Sequence, residues 1–573
     1  MKRLRYIHAG LRAGVSLAGL TLLPASLHAQ DVTTAEVGTN EAIIVTGTRV
    51  QRDGYDAPTP LTVVSAEAIA KAAPANVADY VNQMPQLTPS ATPRVGNGAT
   101  STGTAGLNTL DLRGLGSNRT LLLVDGQRIA PATQTGAVDI NNVPTGLLQR
   151  VDVVTGGASA AYGSDAIAGV VNFIIDRKFS GIRLNLNGGI TDRNDNKNWQ
   201  VSGAFGTGFA GGRGHLLLSF EHQHEDGIDW IDPSKRTWYT ASYLVANPAY
   251  TATNGQPRQI VARNVNYNNV ALGGLITTGA LRGTAFGPGG VPFQFNYGTL
   301  AVNSTSPTSN FMIGGNTWNE GNISTVTPRI DRNNIWGRVS YELTDSIRAS
   351  FEASYGRTHT FGYAAYQRYT GPNTVGTNSA ANPLVSVSIN NAFLPQSVRD
   401  AAILAGVTTF GYGMSTIDYG RMQNDITREN MRLVGTLEGD IGSSWKWQAY
   451  YQHGRSNIDV ALRNTTNNAR FQLAVDAVRN GSGAIVCRST LTNPTNGCVP
   501  ANIFGTGVIS PESLAYFKGT ATQSQKITEN VVAISANGTL GNSWAGPISL
   551  AVGAEHRTER AEAVGDALSQ TNG

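Results

Sequence analysis

Two histidines stand two residues apart in the stretch FEHQHED and could bind a metal ion. On one face of a strand, His222 and His224 could chelate a transition metal together with Glu225 or Asp226, because imidazole and carboxylate groups are common metal ligands. The same residues also fit the polar end of a strand near the rim of a sheet. We favour this second interpretation and assign no metal site.

The N-terminus indicates the compartment in which the other reactive side chains lie. Basic residues precede the apolar run AGVSLAGLTLL, which is followed by Pro24 and by small residues up to Ala29. This pattern predicts a secretory signal peptide over residues 1–29. The apolar run is shorter than the roughly twenty residues that a membrane-spanning helix needs. Because Leu27 stands where a smaller residue is preferred, the pattern does not fix the cleavage position.

The two cysteines of the chain, Cys487 and Cys498, are close in sequence and lie inside a polar segment. Export implies an oxidising compartment, in which such a pair is expected to form a disulfide. Two free thiols are the alternative. A zinc site is disfavoured, because two cysteines without a nearby histidine cannot complete a tetrahedral set of ligands. We therefore predict a disulfide between Cys487 and Cys498.

Four charged residues lie beside apolar strands or turns in the first third of the chain: Arg113, Arg119, Arg150 and Asp152. No histidine or cysteine stands near them to act as base or nucleophile, so pairing of buried charges explains them better than catalysis. We predict neither an enzyme nor a cofactor site. The nearby glycine-rich run lacks the patterns of phosphate-binding loops. The net charge of +4 is spread over 573 residues, which gives no case for nucleic-acid binding.

Residues 52–177 carry the pattern of a small α+β domain. The run LTVV favours a strand, and Ser65 after it suits the N-cap of a helix over AEAIAKA. The run TLLLV predicts a buried strand that ends at the turn pair Asp125-Gly126. These elements are expected to form a domain of their own before the rest of the chain.

From about residue 178 onward, apolar and polar residues alternate at period two. In GIRLNLNGGI, for example, Ile182, Leu184 and Leu186 alternate with polar side chains, which predicts one lipid-facing and one lumen-facing row. Charged residues make up only 14% of the chain, yet the mean hydropathy of -0.17 is too low for a helical membrane protein. Both observations suit a membrane barrel. We therefore predict an antiparallel transmembrane β-barrel over residues 178–573.

The connections between the predicted strands alternate in length. Short turns are expected near residues 210–212, 344–346, 440–443 and 541–546. Long connections are expected over residues 227–329, 359–424 and 459–525, the last of which contains the cysteines. Outer-membrane barrels have short periplasmic turns and longer extracellular loops. The three long connections are therefore predicted to be extracellular.

Three stretches of this chain resemble, in the same order, the N-terminal part of the TonB-dependent outer-membrane receptors. They are EAIIVTGTR, LRGLGSNRTLLLVDGQRI and VPTGLLQRVDVVTGGASAAYGSDAIAGVVNFI. The resemblance covers about residues 41–177 and implies a plug domain inside a 22-stranded barrel. Small residues at 156–160 are expected to allow close packing of the plug backbone. Structural roles in the plug are implied for Arg113, Gly114, Gly116, Asp125, Gly126, Arg150, Gly156, Gly157, Tyr162 and Gly163.

A β-branched segment lies between polar residues upstream of this domain: Glu41, Ala42, Ile43, Ile44, Val45, Thr46 and Gly47. On composition alone, it is either the first strand of the next domain or an unpaired strand that adds to a partner's sheet edge. The segment resembles the TonB box of the family, which favours the second interpretation. TonB, with the inner-membrane ExbB/ExbD proton-driven motor, is then the implied partner. Residues 30–51 form a periplasmic spacer that contains the box.

The resemblance implies active, TonB-dependent uptake of a scarce ligand across the outer membrane of a Gram-negative bacterium. The ligand could be a ferric siderophore, cobalamin or an oligosaccharide, and outer-membrane lipid would surround the barrel. A passive outer-membrane channel and an exported soluble β-rich binding protein are the alternatives, but neither accounts for a folded domain before lipid-facing strands. About nine strands are expected rather than 22, so we predict an incomplete barrel that neither closes nor transports alone.

Overall fold

A computed structural model describes most of the chain after residue 59. The described residues are 60–72, 77–87, 90–93, 103–156, 158–232, 234–236, 242–316, 325–364, 366–370, 386–544 and 546–571. The predicted signal peptide and spacer lie outside them. No helix among the described residues is long and apolar enough to cross a membrane.

The first part of the described chain is an α+β domain, as the sequence predicts. Its strands are β1 (Leu61–Ser65), β2 (Thr120–Val124), β3 (Gln127–Arg128), β4 (Leu148–Thr155) and β5 (Gly169–Ile175). They form one sheet in the order β1-β4-β5-β2-β3, in which β2 and β5 are parallel and the other neighbours are antiparallel. The helices are α1 (Ala66–Ala72), α2 (Val77–Val81) and α3 (Ser159–Tyr162).

Apolar side chains on both faces of β4 and β5 hold this N-terminal domain together. Val151 and Phe173 pack into the cluster on one side of the sheet, and Val154 and Val170 pack into the cluster on the other. All four are fully buried, and each such burial contributes about 2 kcal/mol. A sheet that is apolar on both faces needs cover on both faces, which explains why helices and turns surround it.

The second part of the described chain is a sheet of nine long strands, which we call the wall. Its strands are β6 (Gly181–Ile190), β7 (Lys197–Phe209), β8 (Gly214–Glu225), β9 (Arg329–Thr344), β10 (Ile347–Tyr363), β11 (Gln423–Ile441), β12 (Trp445–Thr466), β13 (Lys518–Ser543) and β14 (Gly546–Gly565). Neighbours in the sheet are consecutive in the chain and antiparallel. The wall is therefore an up-and-down meander, and the expected number of about nine strands is confirmed.

The two faces of the wall differ in polarity, as the period-two pattern predicts. On the outer face, Ile182, Ile335 and Phe351 are 82%, 64% and 50% exposed. On the inner face, the charged side chains of Arg338 and Glu352 are buried. Burying charges while leaving large apolar side chains exposed makes sense only if the outer face meets lipid and the inner face meets protein or water.

From β7 onward, short and long connections alternate along the wall, whereas β6 and β7 are joined by residues 191–196 alone. Four short turns join β7 to β8, β9 to β10, β11 to β12 and β13 to β14, at the positions that the sequence predicts. The long connections are shorter than predicted, because β10 continues to Tyr363, β12 continues to Thr466 and β13 already begins at Lys518. The predicted bounds 359–424 and 459–525 are therefore wrong at these strand ends. The strands project beyond the length of roughly ten residues that spans a bilayer.

The long connections contain short elements of their own. Helices α4 (Gln396–Leu404), α5 (Asn468–Val475) and α6 (Pro511–Phe517) lie in them, and α7 (Ala567–Thr571) follows the wall. Their short strands are Tyr243–Ala246, Gln259–Ala262, Val265–Tyr267, Leu275–Ile276, Thr284–Phe286, Pro292–Gln294, Thr299–Leu300, Phe311–Ile313, Arg368–Tyr369, Val387–Ser388, Thr409–Phe410, Tyr412–Ser415, Ala477–Arg479 and Ile485–Cys487. Phe286, Tyr412 and Phe471 belong to one buried cluster, so the three connections share a core.

Candidate functional site

The candidate site is the surface between the N-terminal domain and the inner face of the wall. Every strand of the wall reaches that domain, through Arg183, Ala204, Glu221, Arg332, Gly356, Thr436, Ser456, Ile527 and Glu555 in strand order. A sheet can touch one small domain with all nine strands only by curving around it. The N-terminal domain therefore fills the concave side of the wall.

Ion pairs hold the domain to the last strand of the wall. The Arg128 guanidinium lies 2.8 Å from the Asp165 carboxylate within the domain and 2.8 Å from the Glu555 carboxylate of β14. It also donates to the Tyr162 carbonyl oxygen at 2.9 Å. Arg557 of β14 lies 2.6 Å from Asp165. Buried charges are costly unless they are paired, so this arrangement fixes the domain in one orientation.

A second group of ion pairs lies at the middle strands. Arg177 lies 2.8 Å from Asp125 in the domain and 3.4 Å from Glu438 of β11. Arg432 of β11 pairs with Glu352 of β10. Both partners of the Arg432–Glu352 pair are about nine-tenths buried. Removing one partner of such a pair leaves an unpaired buried charge.

Arg432 also connects the wall to the domain through amide groups. Its guanidinium donates to the side-chain oxygens of Gln452 at 2.8 Å and Gln127 at 3.3 Å. Gln127 in turn donates to the Thr436 hydroxyl at 3.0 Å. The charges and amides of this part of the surface are thus joined in a network that spans the domain and three wall strands.

At the first strands, apolar packing adds to the polar contacts of Arg183 and Glu221, and we call this region the apolar sector. Leu147 of the domain belongs to the same buried cluster as Ala204 of β7, Leu217 of β8 and Trp336 of β9. The backbone comes close as well, since a Cβ placed on Gly146 would lie 3.6 Å from the Ala204 Cβ. The core of the domain therefore continues into the wall on this side.

Between these regions, residues 139–142 of the domain face polar side chains of β9 to β12, in what we call the polar sector. Arg332 donates to the Asn141 side-chain oxygen at 3.0 Å and pairs with Glu221. Arg428 is fully buried and donates to the Gly103 and Ala105 carbonyl oxygens. Burial raises the pKa of Asp139 above its ordinary value, although the Arg428 charge opposes this shift.

Several residues expected to have structural roles lie at turns of the domain. Arg113, Gly114 and Gly116 all have positive φ (59°, 68° and 111°), so they shape the turn before β2. Asp125 and Gly126 form the β2–β3 turn with φ of 51° and 79°. The Asp125 carboxylate accepts from the Ile175 amide at 2.9 Å as well as from Arg177.

The other expected positions lie on β4 and around α3. Arg150 and Asp152 pair at 3.0 Å, which is the charge pairing that the sequence suggests. The expected close packing of residues 156–160 is wrong in part, because Ser159 and Ala160 are exposed. A Cβ on Gly163 would meet no atom within 4 Å, and its φ of 84° explains the glycine instead. Gly157 lies outside the described residues.

The histidines and cysteines lie outside this surface. His222 and His224 sit on the outer face of β8, at 2.7 Å from Asn333 and 2.6 Å from Asp331. No group of three or more metal-ligating side chains occurs among the described residues. Cys487 and Cys498 form a disulfide in the last long connection. The residues expected to form the TonB box, Glu41 to Gly47, lie outside the described part of the chain.

Sequence reasoning missed most of the charged partners across the surface, among them Arg177, Arg432 and Glu438. One signal was present, because Arg432 and Glu438 occupy inward-facing positions in a part of β11 whose outward positions include Met431, Leu433 and Leu437. A charge at an inward position of a lipid-facing strand needs a polar partner inside. The identity of that partner depends on the fold.

Comparison with known proteins identifies the N-terminal domain. Residues 53–170 match a family model described as TonB-dependent Receptor Plug Domain. The vitamin B12 transporter BtuB of Vibrio vulnificus (strain CMCP6) is 32% identical over 221 residues, which cover 38% of this chain and 33% of that protein. The chain thus spans about a third of the length of the curated relative that it matches.

Among solved structures, the ferric enterobactin receptor PfeA of Pseudomonas aeruginosa is similar, with 16% identity and a TM-score of 0.40 over 89% of this chain and 56% of that receptor. The ferric-catecholate import receptor Fiu of E. coli K12 has 11% identity and a TM-score of 0.35 over 89% of this chain and 68% of its own.

Proposed function

We propose that this chain, which belongs to the TonB-dependent receptors through its plug domain, serves in the active uptake of a scarce ligand across the outer membrane of a Gram-negative bacterium. The observation that carries this proposal is the position of the plug. One folded domain fills the concave side of a lipid-facing sheet and contacts all nine of its strands. A passive channel has no use for such an obstruction.

In this proposal, TonB pairs with the segment 41–47 as an added strand and pulls on the plug. Main-chain hydrogen bonds would supply the affinity, and the β-branched residues Ile43, Ile44 and Val45 favour the extended conformation that pairing requires. Force applied to this segment would loosen the plug, whose ion pairs to the wall are strong only while their geometry holds.

The ligand is proposed to be small and scarce, such as cobalamin, a ferric siderophore or an oligosaccharide. The relative BtuB is a vitamin B12 transporter by its name, which supports the first of these classes. We infer that the long connections, which share a buried core, lie on the extracellular side and meet the ligand first.

The test compares two proline variants of the full-length protein in cells. Ile44→Pro removes a main-chain donor inside the proposed box, whereas Val37→Pro makes the same change in the spacer before it. Binding of the purified C-terminal domain of TonB is expected to weaken at least tenfold for Ile44→Pro and to stay unchanged for Val37→Pro. Uptake of labelled cyanocobalamin, ferric enterobactin and maltohexaose is measured in parallel. Equal binding and uptake by both variants contradicts TonB coupling.

A further inference from the structure

The polar sector of the plug surface contains a cavity of about 40 Å³. Its lining includes Asp139 and Asn142 of the plug and Asn430, Arg432 and Ser456 of the wall. A space of this size holds about three water molecules. Apolar side chains such as Val143 and Trp336 also line the cavity, and its polar groups offer both hydrogen-bond donors and acceptors to water or to another molecule that does both.

Polar atoms around this cavity have no hydrogen-bond partner within the protein. They include Oδ2 of Asp139, Oδ1 of Asn142 and both side-chain polar atoms of Asn430. Asp139 is 2% exposed, so bulk solvent does not satisfy its carboxylate. A buried polar group without a partner costs about 1–3 kcal/mol. The plug and the wall therefore do not complete each other's hydrogen bonds here.

The same deficit continues along the polar sector beyond the cavity. Oδ1 of Asn334, Oγ1 of Thr358 and Oγ1 of Thr360 are buried and have no protein partner. These residues lie on the inner faces of β9 and β10, where Thr360 lies beside Gly106 of the plug and Asn334 donates to the Asn141 carbonyl oxygen. The unpaired groups thus lie on the three neighbouring strands β9, β10 and β11, which we call the polar seam.

The apolar sector shows the opposite character. Within the described part of the chain, no buried unpartnered side-chain atom belongs to β6, β7 or β8. There the plug core continues into the wall through Leu147, Ala204 and Leu217. Separating these surfaces would expose apolar area at about 25 cal/mol per Å². Separating the polar seam would instead let water satisfy groups that lack partners.

We propose that the polar seam is the path along which a solute rich in hydroxyl or amide groups passes the plug, while the apolar sector acts as the hinge. This inference rests on the proposed uptake function and adds the side of the plug that opens. Donors such as Nε of Arg332 and Arg428 and acceptors such as Oδ1 of Asn334 would replace the hydration of the solute step by step. No covalent step is involved.

Two matched cysteine variants of the full-length protein test the path. Ser456→Cys lies in the cavity lining, and Ser219→Cys lies on β8 beside Gly146 of the plug. The two serines are similarly buried, with exposures of 2% and 6%. Energised cells are treated with the small cationic reagent 2-(trimethylammonium)ethyl methanethiosulfonate. We expect Ser456→Cys to react at least tenfold faster than Ser219→Cys.

The inference is overturned if Ser219→Cys reacts as fast as Ser456→Cys, or if neither residue reacts in energised cells. Thr358→Cys, which lies in the same seam, provides a second variant in case Ser456→Cys does not reach the membrane. The labelling is repeated with a protonophore and in an Ile44→Pro background. Because both treatments interrupt the proposed TonB coupling, they separate this result from the proposed function. Fast labelling of the seam that ignores both treatments supports the path and contradicts TonB coupling. Equal labelling of both sectors that is lost under both treatments supports TonB coupling and contradicts the path.

Discussion

The apolar and polar sectors attach the same plug to the same wall by different chemistry. In the apolar sector, Leu147 and Leu217 continue the plug core, as in the interior of a folded domain. In the polar sector, Asn142 of the plug and Asn430 of the wall line one cavity and have buried polar atoms left unpaired. The first kind of contact resists separation, whereas the second gains hydration when it separates. The contrast explains how a plug can stay attached and still open.

The largest effect is expected where a charge pair borders the polar sector. Arg432→Met leaves Glu352 buried without its partner in the wall and removes a donor to Gln127 of the plug. The wall and the plug docked against it are expected to lose about 3–5 kcal/mol. The loss is measured as a shift in the urea concentration at the midpoint of plug release, with hydrogen exchange of the β4 amides as the readout. The double variant Arg432→Met with Glu352→Leu should recover most of it. A single variant as stable as the wild type would show that the pair does not hold the plug.

A slightly smaller loss is expected in the apolar sector. Leu217→Ala removes a fully buried side chain from the shared core and is expected to cost about 3 kcal/mol in the same assay. Leu218→Ala is the matched control, because its side chain points outward and is 45% exposed. Equal losses of stability in Leu217→Ala and Leu218→Ala would contradict the role of apolar packing in this sector.

A much smaller effect is expected inside the polar seam. Asn430→Leu removes two buried polar atoms that lack partners, so docking stability is expected to rise by about 1 kcal/mol, the lower end of the cost of an unpaired buried group. In the apolar sector, the reverse substitution Leu217→Asn buries a new amide. It should therefore lower docking stability by more than Leu217→Ala does. A large loss for Asn430→Leu would mean that its amide forms bonds essential for docking.

The smallest effect concerns pH. Because burial raises the pKa of Asp139 above 3.8, the folded protein binds a proton there more tightly than the unfolded chain does. The resulting stabilisation is complete below pH 3.8 and is lost as the pH rises through the raised pKa. Asp139→Asn should therefore flatten the pH dependence of the urea midpoint above pH 3.8. An unchanged slope in that variant would assign the dependence to other groups.

The strands and turns of the wall follow from the sequence because lipid and protein impose opposite demands on alternate residues. Ile182, Val339 and Phe351 face outward as the pattern predicts. The strand ends were harder to predict. Past Tyr451, the outer face of β12 carries polar residues such as His453, which bonds to Asn530 at 2.9 Å. The contrast between faces disappears there, so the sequence suggests a loop where a strand continues.

The plug surface was only partly predictable. Turn positions such as Asp125-Gly126 follow from local preferences, and both adopt positive φ. The partners across the surface do not follow, because the Arg128–Glu555 pair joins residues 427 positions apart. Such a pair depends on the register of every intervening strand and on the curvature of the wall. The sequence indicates that inward-facing charges need partners, but it does not identify those partners.

Disulfide locks in the two sectors test the central claim most directly. Asn142→Cys with Gly356→Cys ties the polar seam, since a Cβ on Gly356 would lie 2.7 Å from Cγ of Asn142. Gly146→Cys with Ala204→Cys ties the apolar sector, where the two Cβ atoms would lie 3.6 Å apart. Each lock is compared with the wild type before and after reduction.

Uptake is measured with whichever of labelled cyanocobalamin, ferric enterobactin or maltohexaose the wild-type protein accumulates in cells. The account predicts that the oxidised polar lock abolishes uptake, that reduction restores it, and that the oxidised apolar lock retains at least half of it. Normal uptake by the oxidised polar lock, or equal loss in both locks, would contradict the account.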